Sequence, residues 1–152
     1  MDLEYGPEYQ EFTKKVQSFC NKYEGLSFKD RANTPLVSSG GSGGPEMHRS
    51  EWQKILIENG YFARSVPKEY GGYGGEADII KSRIIAAEFS KSKIPTPMGG
   101  QGIDMLVPTL LEMGTEEQKQ AYIKPTLHGE MIWCQGYSEP NAGSDLASLQ
   151  TK

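Results

Sequence analysis

Aromatic and aliphatic residues return at helical spacing early in the chain: Tyr9, Phe12, Val16, Phe19 and Tyr23 fall on one face, with Glu8 and Glu11 ahead of Lys14, Lys15 and Lys22. That pattern predicts an amphipathic helix over residues 7–23, opened by Pro7 and favoured by acids near its start and bases near its end. The stripe reads as core rather than as a cofactor contact. Over residues 24–45 the period is lost, and the stretch closes on Ser38-Ser39-Gly40-Gly41-Ser42-Gly43-Gly44-Pro45, the composition of a flexible linker. A phosphate cradle is the rival reading. It lacks both an apolar strand leading in and a Gly-Lys-Ser/Thr ending.

A second helix is expected from Glu46 to Asn59, carrying Trp52, Ile55 and Leu56 on one side, with Asn59-Gly60 as its stop. Residues 61–75 hold the string Val66-Pro67-Lys68-Glu69-Tyr70-Gly71-Gly72-Tyr73-Gly74-Gly75, too glycine-rich for regular structure and too aromatic for disorder; a packed loop fits. The third helix, Glu76 to Ser90, is apolar over so much of its surface that a central position is expected. A loop over 91–102 leads to Ile103–Met113, where Pro108 either kinks a helix or begins its second half. Thr115 and Gln118 form a capping box for a helix that continues past or around Pro125 to His128-Gly129. His128 there is best explained by the helix dipole rather than by catalysis. A short strand, Met131–Tyr137, follows, so about five helices precede the opening of a β region.

Composition narrows the function classes. The 152 residues suffice for one domain with a genuine core, and a net charge of −4 with scattered Lys and Arg offers no basic stripe for nucleic acid. No run is long and apolar enough to span a bilayer, and Met1-Asp2-Leu3-Glu4-Tyr5 resembles neither a signal nor a transit peptide, so a cytoplasmic location is expected. Cys20 and Cys134 match no metal spacing and form no framework; a reducing compartment is the simplest setting. His48 has no second ligand at metal spacing, and no metal site is assigned.

The candidate chemistry lies after the strand. Pro140, Asn141 and Gly143 set backbone direction, while Ser138, Ser144 and Asp145 supply hydroxyls and a carboxylate. Gly136 and Gly143 leave gaps through which a flat or phosphate-bearing ligand can reach the main chain, and the Ala142-Gly143-Ser144-Asp145 turn can turn consecutive N–H groups toward an anion. An ordinary surface turn has the same composition.

The order of residues separates the two. Trp133 to Thr151, with Ser138-Glu139-Pro140-Asn141-Ala142-Gly143-Ser144-Asp145 at its heart, resembles the flavin-loop signature of the acyl-CoA dehydrogenase family, departing at Asn141 where many members have Gly. Residues 66–75 resemble a recurring glycine-aromatic segment of that family's N-terminal domain. The resemblance implies a mostly α fold: an N-terminal helical domain over 1–130, then, at 131–152, the first strand and flavin loop of a middle β domain whose remainder is absent. It implies FAD as cofactor, with Gln135, Tyr137 and Ser138 along the ring, Gly143 and Ser144 toward the ribityl and pyrophosphate portion, and Ser144 also touching the acyl-CoA substrate. Asp145 is expected to pin the loop, and Glu139 to serve the turn rather than the chemistry. The implied reaction is α,β-dehydrogenation of an acyl-CoA thioester in fatty-acid or related breakdown, with an electron-transfer flavoprotein as acceptor and a homo- or hetero-oligomeric full-length form. The family's base, a Glu on a later helical bundle, is expected beyond Lys152, which makes the chain a fragment, inactive alone. Its alternatives are an acyl-CoA oxidase or flavin monooxygenase of the same fold, and a non-catalytic helical interaction module.

Overall fold

The computed structural model describes residues 6–29 and 44–151. Five α-helices stand among them: α1 (Pro7–Lys22), α2 (Arg49–Glu58), α3 (Ile79–Lys91), α4 (Val107–Met113) and α5 (Glu116–Leu127). Helix α1 follows its sequence closely. Pro7 occupies the first turn, and Val16, Phe19 and Cys20 are buried. Phe19 stacks between Trp52 of α2, at 5.6 Å, and Phe89 of α3, at 6.0 Å, while Tyr61 meets it edge-on at 4.7 Å. Offset stacking and edge contacts of this kind add to the burial of large rings, so α1, α2 and α3 are held by one aromatic centre.

A second apolar cluster joins Ile57, Val66, Tyr70, Val107, Leu110, Ile123 and Leu127. Helix α2 serves both centres, presenting Trp52 and Leu56 to the first and Ile57 to the second. Its one fully buried polar side chain, Gln53, donates to the Leu127 carbonyl at 3.0 Å and accepts from the Met98 amide at 2.8 Å. Trp52 likewise donates from Nε1 to the Pro95 carbonyl at 3.0 Å. The irregular stretch between α3 and α4 is thus fastened to α2 by hydrogen bonds from buried groups that have no water to turn to.

Several expectations change. Of the linker, residues 30–43, including most of the Ser/Gly run, lie outside the described residues. Flanking them, β1 (Ser27–Phe28) and β2 (Glu46–Met47) pair in parallel, Ser27 opposite Glu46, a contact with no signal in two-residue pieces of sequence. Helix α2 begins at Arg49 because the His48 amide donates to Glu51 Oε2 at 2.8 Å. Helix α3 begins at Ile79, where the Asp78 carboxylate accepts from the Ile80 and Lys81 amides, both at 2.9 Å. Nor is α3 central: Ile84, Ile85 and Phe89 face the core, but Ile79 is 72% exposed and Ala86 and Ala87 lie open. It packs on α1 along one side only.

The glycine-aromatic loop is packed, as its composition suggested. A Cβ on Gly72 would stand 2.2 Å from the Val66 carbonyl oxygen, and Gly71 turns through φ +85° against Lys124. Tyr70 reaches across to Glu116 Oε2 at 2.9 Å, and this hydrogen bond to a carboxylate pushes its phenol up to about 12. Before α4, and continuous with it, the chain makes a π-helical turn, Gly102–Leu106; Pro108 lies in the first turn of α4 and so begins the second half of this helical stretch. At α5 the Thr115 hydroxyl accepts from the Gln118 amide and Gln118 Oε1 accepts from the Thr115 amide, at 3.3 and 2.9 Å. The helix runs through Pro125, and Gly129 turns the chain at φ +70°.

Candidate functional site

The segment expected as a strand, Met131–Tyr137, joins no ladder. A strand is completed by a neighbour, and among the described residues none lies alongside it. Its beginning is nevertheless well anchored. The Glu130 and Met131 amides both donate to the Pro125 carbonyl, at 2.9 and 3.1 Å. Trp133 Nε1 donates to the Thr126 hydroxyl at 2.8 Å, and the indole meets Tyr122 edge-on at 5.6 Å. Gln135 Oε1 accepts from Gln101 Nε2 at 3.1 Å, just before the π-helical turn.

Past Gln135 the chain leaves the helical body. Tyr137 is 83% exposed, Ser138, Gly143 and Ser144 are all exposed, and a Cβ placed on Gly136 would meet nothing within 4 Å. The turn brings Ser138 and Gly143 together, since a Cβ on Gly143 would stand 3.9 Å from Ser138 Oγ. The hydrogen bond of the Gln135 side chain goes instead to Gln101, in the helical body. Among the described residues, none of the backbone N–H groups from Trp133 to Ser138 donates a hydrogen bond within the chain. The segment therefore offers a row of open amides, one hydroxyl and two positions without side chains to whatever lies against it, a donor set suited to a flat, oxygen-edged or phosphate-bearing ligand.

The loop keeps its shape through its acids. Asp145 Oδ1 accepts from the Ala147 amide at 3.2 Å, and the Ser148 hydroxyl lies 3.1 Å from the Asn141 carbonyl. Glu139 accepts from the Gln150 amide at 3.0 Å, the Thr151 amide at 2.7 Å and the Thr151 hydroxyl, and these donors hold its carboxyl below the ordinary value. An open groove of about 450 Å³ runs between Glu139–Asn141 and Ser148–Thr151. Both acids serve the turn.

His128 stands at the C-terminal end of α5, as expected. Burial, with Lys54 and Lys124 adding to it and Glu130 opposing at 3.7 Å, moves its pKa down, which works against the charged form that the dipole would favour. Its backbone amide closes α5 by donating to the Lys124 carbonyl at 3.0 Å. Cys20 is buried and its thiol pKa raised by that burial, whereas Cys134 is exposed. Among the described residues no group of His, Cys, Asp and Glu could hold a metal ion, and no helix is long and apolar enough to cross a membrane.

Sequence reasoning missed the anchoring set of Gln101, Gly102, Thr126 and Trp133. One signal was available. A Trp at the start of an otherwise polar exposed segment carries an N–H that burial obliges to find an acceptor.

Comparison with known proteins bears on the whole arrangement. The family described as "Acyl-CoA dehydrogenase, N-terminal domain" matches residues 26–130. Acyl-CoA dehydrogenase IpdE1 of Mycolicibacterium smegmatis is 32% identical over 150 residues, which cover 95% of this chain and 36% of that protein. Among solved structures, the ChsE4-ChsE5 complex from Mycobacterium tuberculosis superposes with a TM-score of 0.58 at 28% identity, over 99% of this chain and 35% of the matched one. The structure described as "Tcur3481-Tcur3483 steroid ACAD" does so with a TM-score of 0.56 at 28% identity, over 100% and 37%. The chain thus spans about a third of the length of these relatives.

Proposed function

Because the chain belongs to the acyl-CoA dehydrogenase family through its N-terminal domain, we propose that it supplies the helical domain (1–130) and the first flavin-contacting segment (131–152) of an FAD-dependent enzyme that introduces an α,β double bond into an acyl-CoA thioester. The observation that carries this reading is the row of open amides and the bare Gly136 and Gly143 positions beside Ser138. These fit an isoalloxazine edge and a pyrophosphate, both of which present oxygens and need close main-chain approach. When bound, the flavin supplies the hydride acceptor for the β-carbon. Gln135, Tyr137 and the Ser138 hydroxyl bind and orient its ring; Gly143 admits the ribityl-pyrophosphate portion, and Ser144 donates to that portion and to the acyl-CoA. Asp145 and Glu139 keep the loop in shape. The base that removes the α-proton is assigned to no residue of this chain.

Both solved neighbours are described by paired chain names, which supports a homo- or hetero-oligomeric working form. An electron-transfer flavoprotein as electron acceptor, fatty-acid or related acyl-CoA breakdown as the setting and a cytoplasmic location complete the proposal. In the full-length protein, flavin absorbance should be present and should bleach anaerobically on addition of acyl-CoAs, tested from short linear chains to steroid-sized ones. Ser138→Ala should slow the bleaching about tenfold or more, the loss of one donor to developing charge. A full-length protein that carries no flavin, or an unchanged bleaching rate in the variant, would overturn this reading or the role of Ser138 respectively.

A further inference from the structure

The helical body and the open loop meet at one largely buried contact that has no part in the roles assigned above. The Thr126 hydroxyl gives its single proton to the Tyr122 carbonyl at 2.6 Å, so toward Trp133 Nε1, 2.8 Å away, it can only accept. Thr126 is 2% exposed, and water cannot substitute for either partner. On its other side the indole rests against Gly102: a Cβ there would stand 2.5 Å from Trp133 Cδ1 and 2.9 Å from Thr126 Cγ2. Gly102 opens the π-helical turn, and Gln101, one residue earlier, holds Gln135. Trp133 and Gln135 are thus both gripped from the start of the π turn, the one against Gly102 and the other by Gln101.

We infer that Trp133, locked between the Thr126 hydroxyl and the bare Gly102, is a positioning residue that sets the height of the Gln135–Ser138 segment over the helical body and so aims it at the flavin. This rests on the flavin reading above. Between the Gln101–Gln135 contact and the turn, no amide of the segment donates a hydrogen bond among the described residues, and a Cβ on Gly136 would meet nothing within 4 Å. A shift of the indole is therefore carried directly to Tyr137 and Ser138.

The test uses the full-length protein with its flavin. Thr126→Val keeps the volume and removes the acceptor; Trp133→Phe keeps a ring and removes the donor; Thr126→Ser keeps the hydroxyl. Each of the first two should weaken FAD binding about fivefold, the scale of one buried hydrogen bond, and shift the visible flavin bands. The double variant should be no worse than the weaker single, because both remove the same bond. Thr126→Ser should retain the wild-type affinity and spectrum. Folded Thr126→Val protein with unchanged FAD affinity and spectrum, or a double variant whose loss is the sum of the singles, would overturn the inference. Should Trp133→Phe fail to fold, the Thr126→Val and Thr126→Ser pair decides by the same readouts. A wild-type protein without flavin would instead sink the cofactor reading on which the inference stands.

Discussion

The described residues of 7–128 and residues 131–151 obey the same chemistry with opposite results. In the first region helix interiors satisfy their own backbone, side chains such as Asp78 and Thr115 cap the ends, and what is left to supply is a face to pack against, which Phe19, Trp52 and Phe89 provide for α1, α2 and α3. In the second, residues 132–138 belong to no helix or ladder, the amides from Trp133 to Ser138 are open, and Ile132, Tyr137 and Leu146 are 83%, 83% and 72% exposed. Extended chain satisfies itself only through a neighbour, so the part of the molecule richest in candidate chemistry is the part with the least structure of its own. A rigid body with an open, ligand-facing edge is a common division of labour in proteins.

That contrast can be broken or sharpened by substitution. The largest effect is expected at the aromatic centre: Trp52→Ala should cost about 3–5 kcal/mol in urea unfolding, since it removes the side chain that Phe19 and Tyr23 pack on. A cost near zero would mean that the three helices are not held by one centre. Next comes the cap of α5, where Thr115→Ala should cost about 1 kcal/mol, read in the same way. A smaller effect is expected from pH. The His128 pKa is lowered from 6.5 in the folded protein, so the unfolded chain binds its proton first; stability is complete above that value and falls as pH drops below it, levelling off once the folded ring protonates. His128→Gln should flatten that part of the stability profile, and an unchanged slope would contradict the burial argument. Smallest of all, Tyr137→Ala should change stability by less than about 0.5 kcal/mol, because its side chain is 83% exposed.

What could be read from sequence follows the same line. The α1 stripe, the Thr115–Gln118 box and the Gly129 stop were legible because each is a local pattern within a few residues. Even the late start of α3 was written in the chain, in Asp78 just ahead of the apolar run. The Ser27–Glu46 pairing was not legible, since it depends on residues far apart in sequence. Apolar residues on all sides of α3 suggested a central helix, whereas periodicity reports which faces are greasy and not which are covered. The same limit explains Met131–Tyr137, where strand-like composition suggested a strand without providing its neighbour. The loop residues were found by their order, and the Trp133–Thr126 contact escaped because a helix-interior Thr carries no sign of whom its hydroxyl will meet.

Gln53 shows how narrow a buried position can become. Its amide gives a proton to one segment and takes one from another, the Leu127 carbonyl and the Met98 amide. An aliphatic side chain of equal size would strand both, and a carboxylate would lose the donor while gaining a charge with no counter-ion beside it. Cores usually tolerate exchange among residues of similar bulk. Here the latitude closes almost entirely, and the seam where three segments of the body converge admits little but a primary amide.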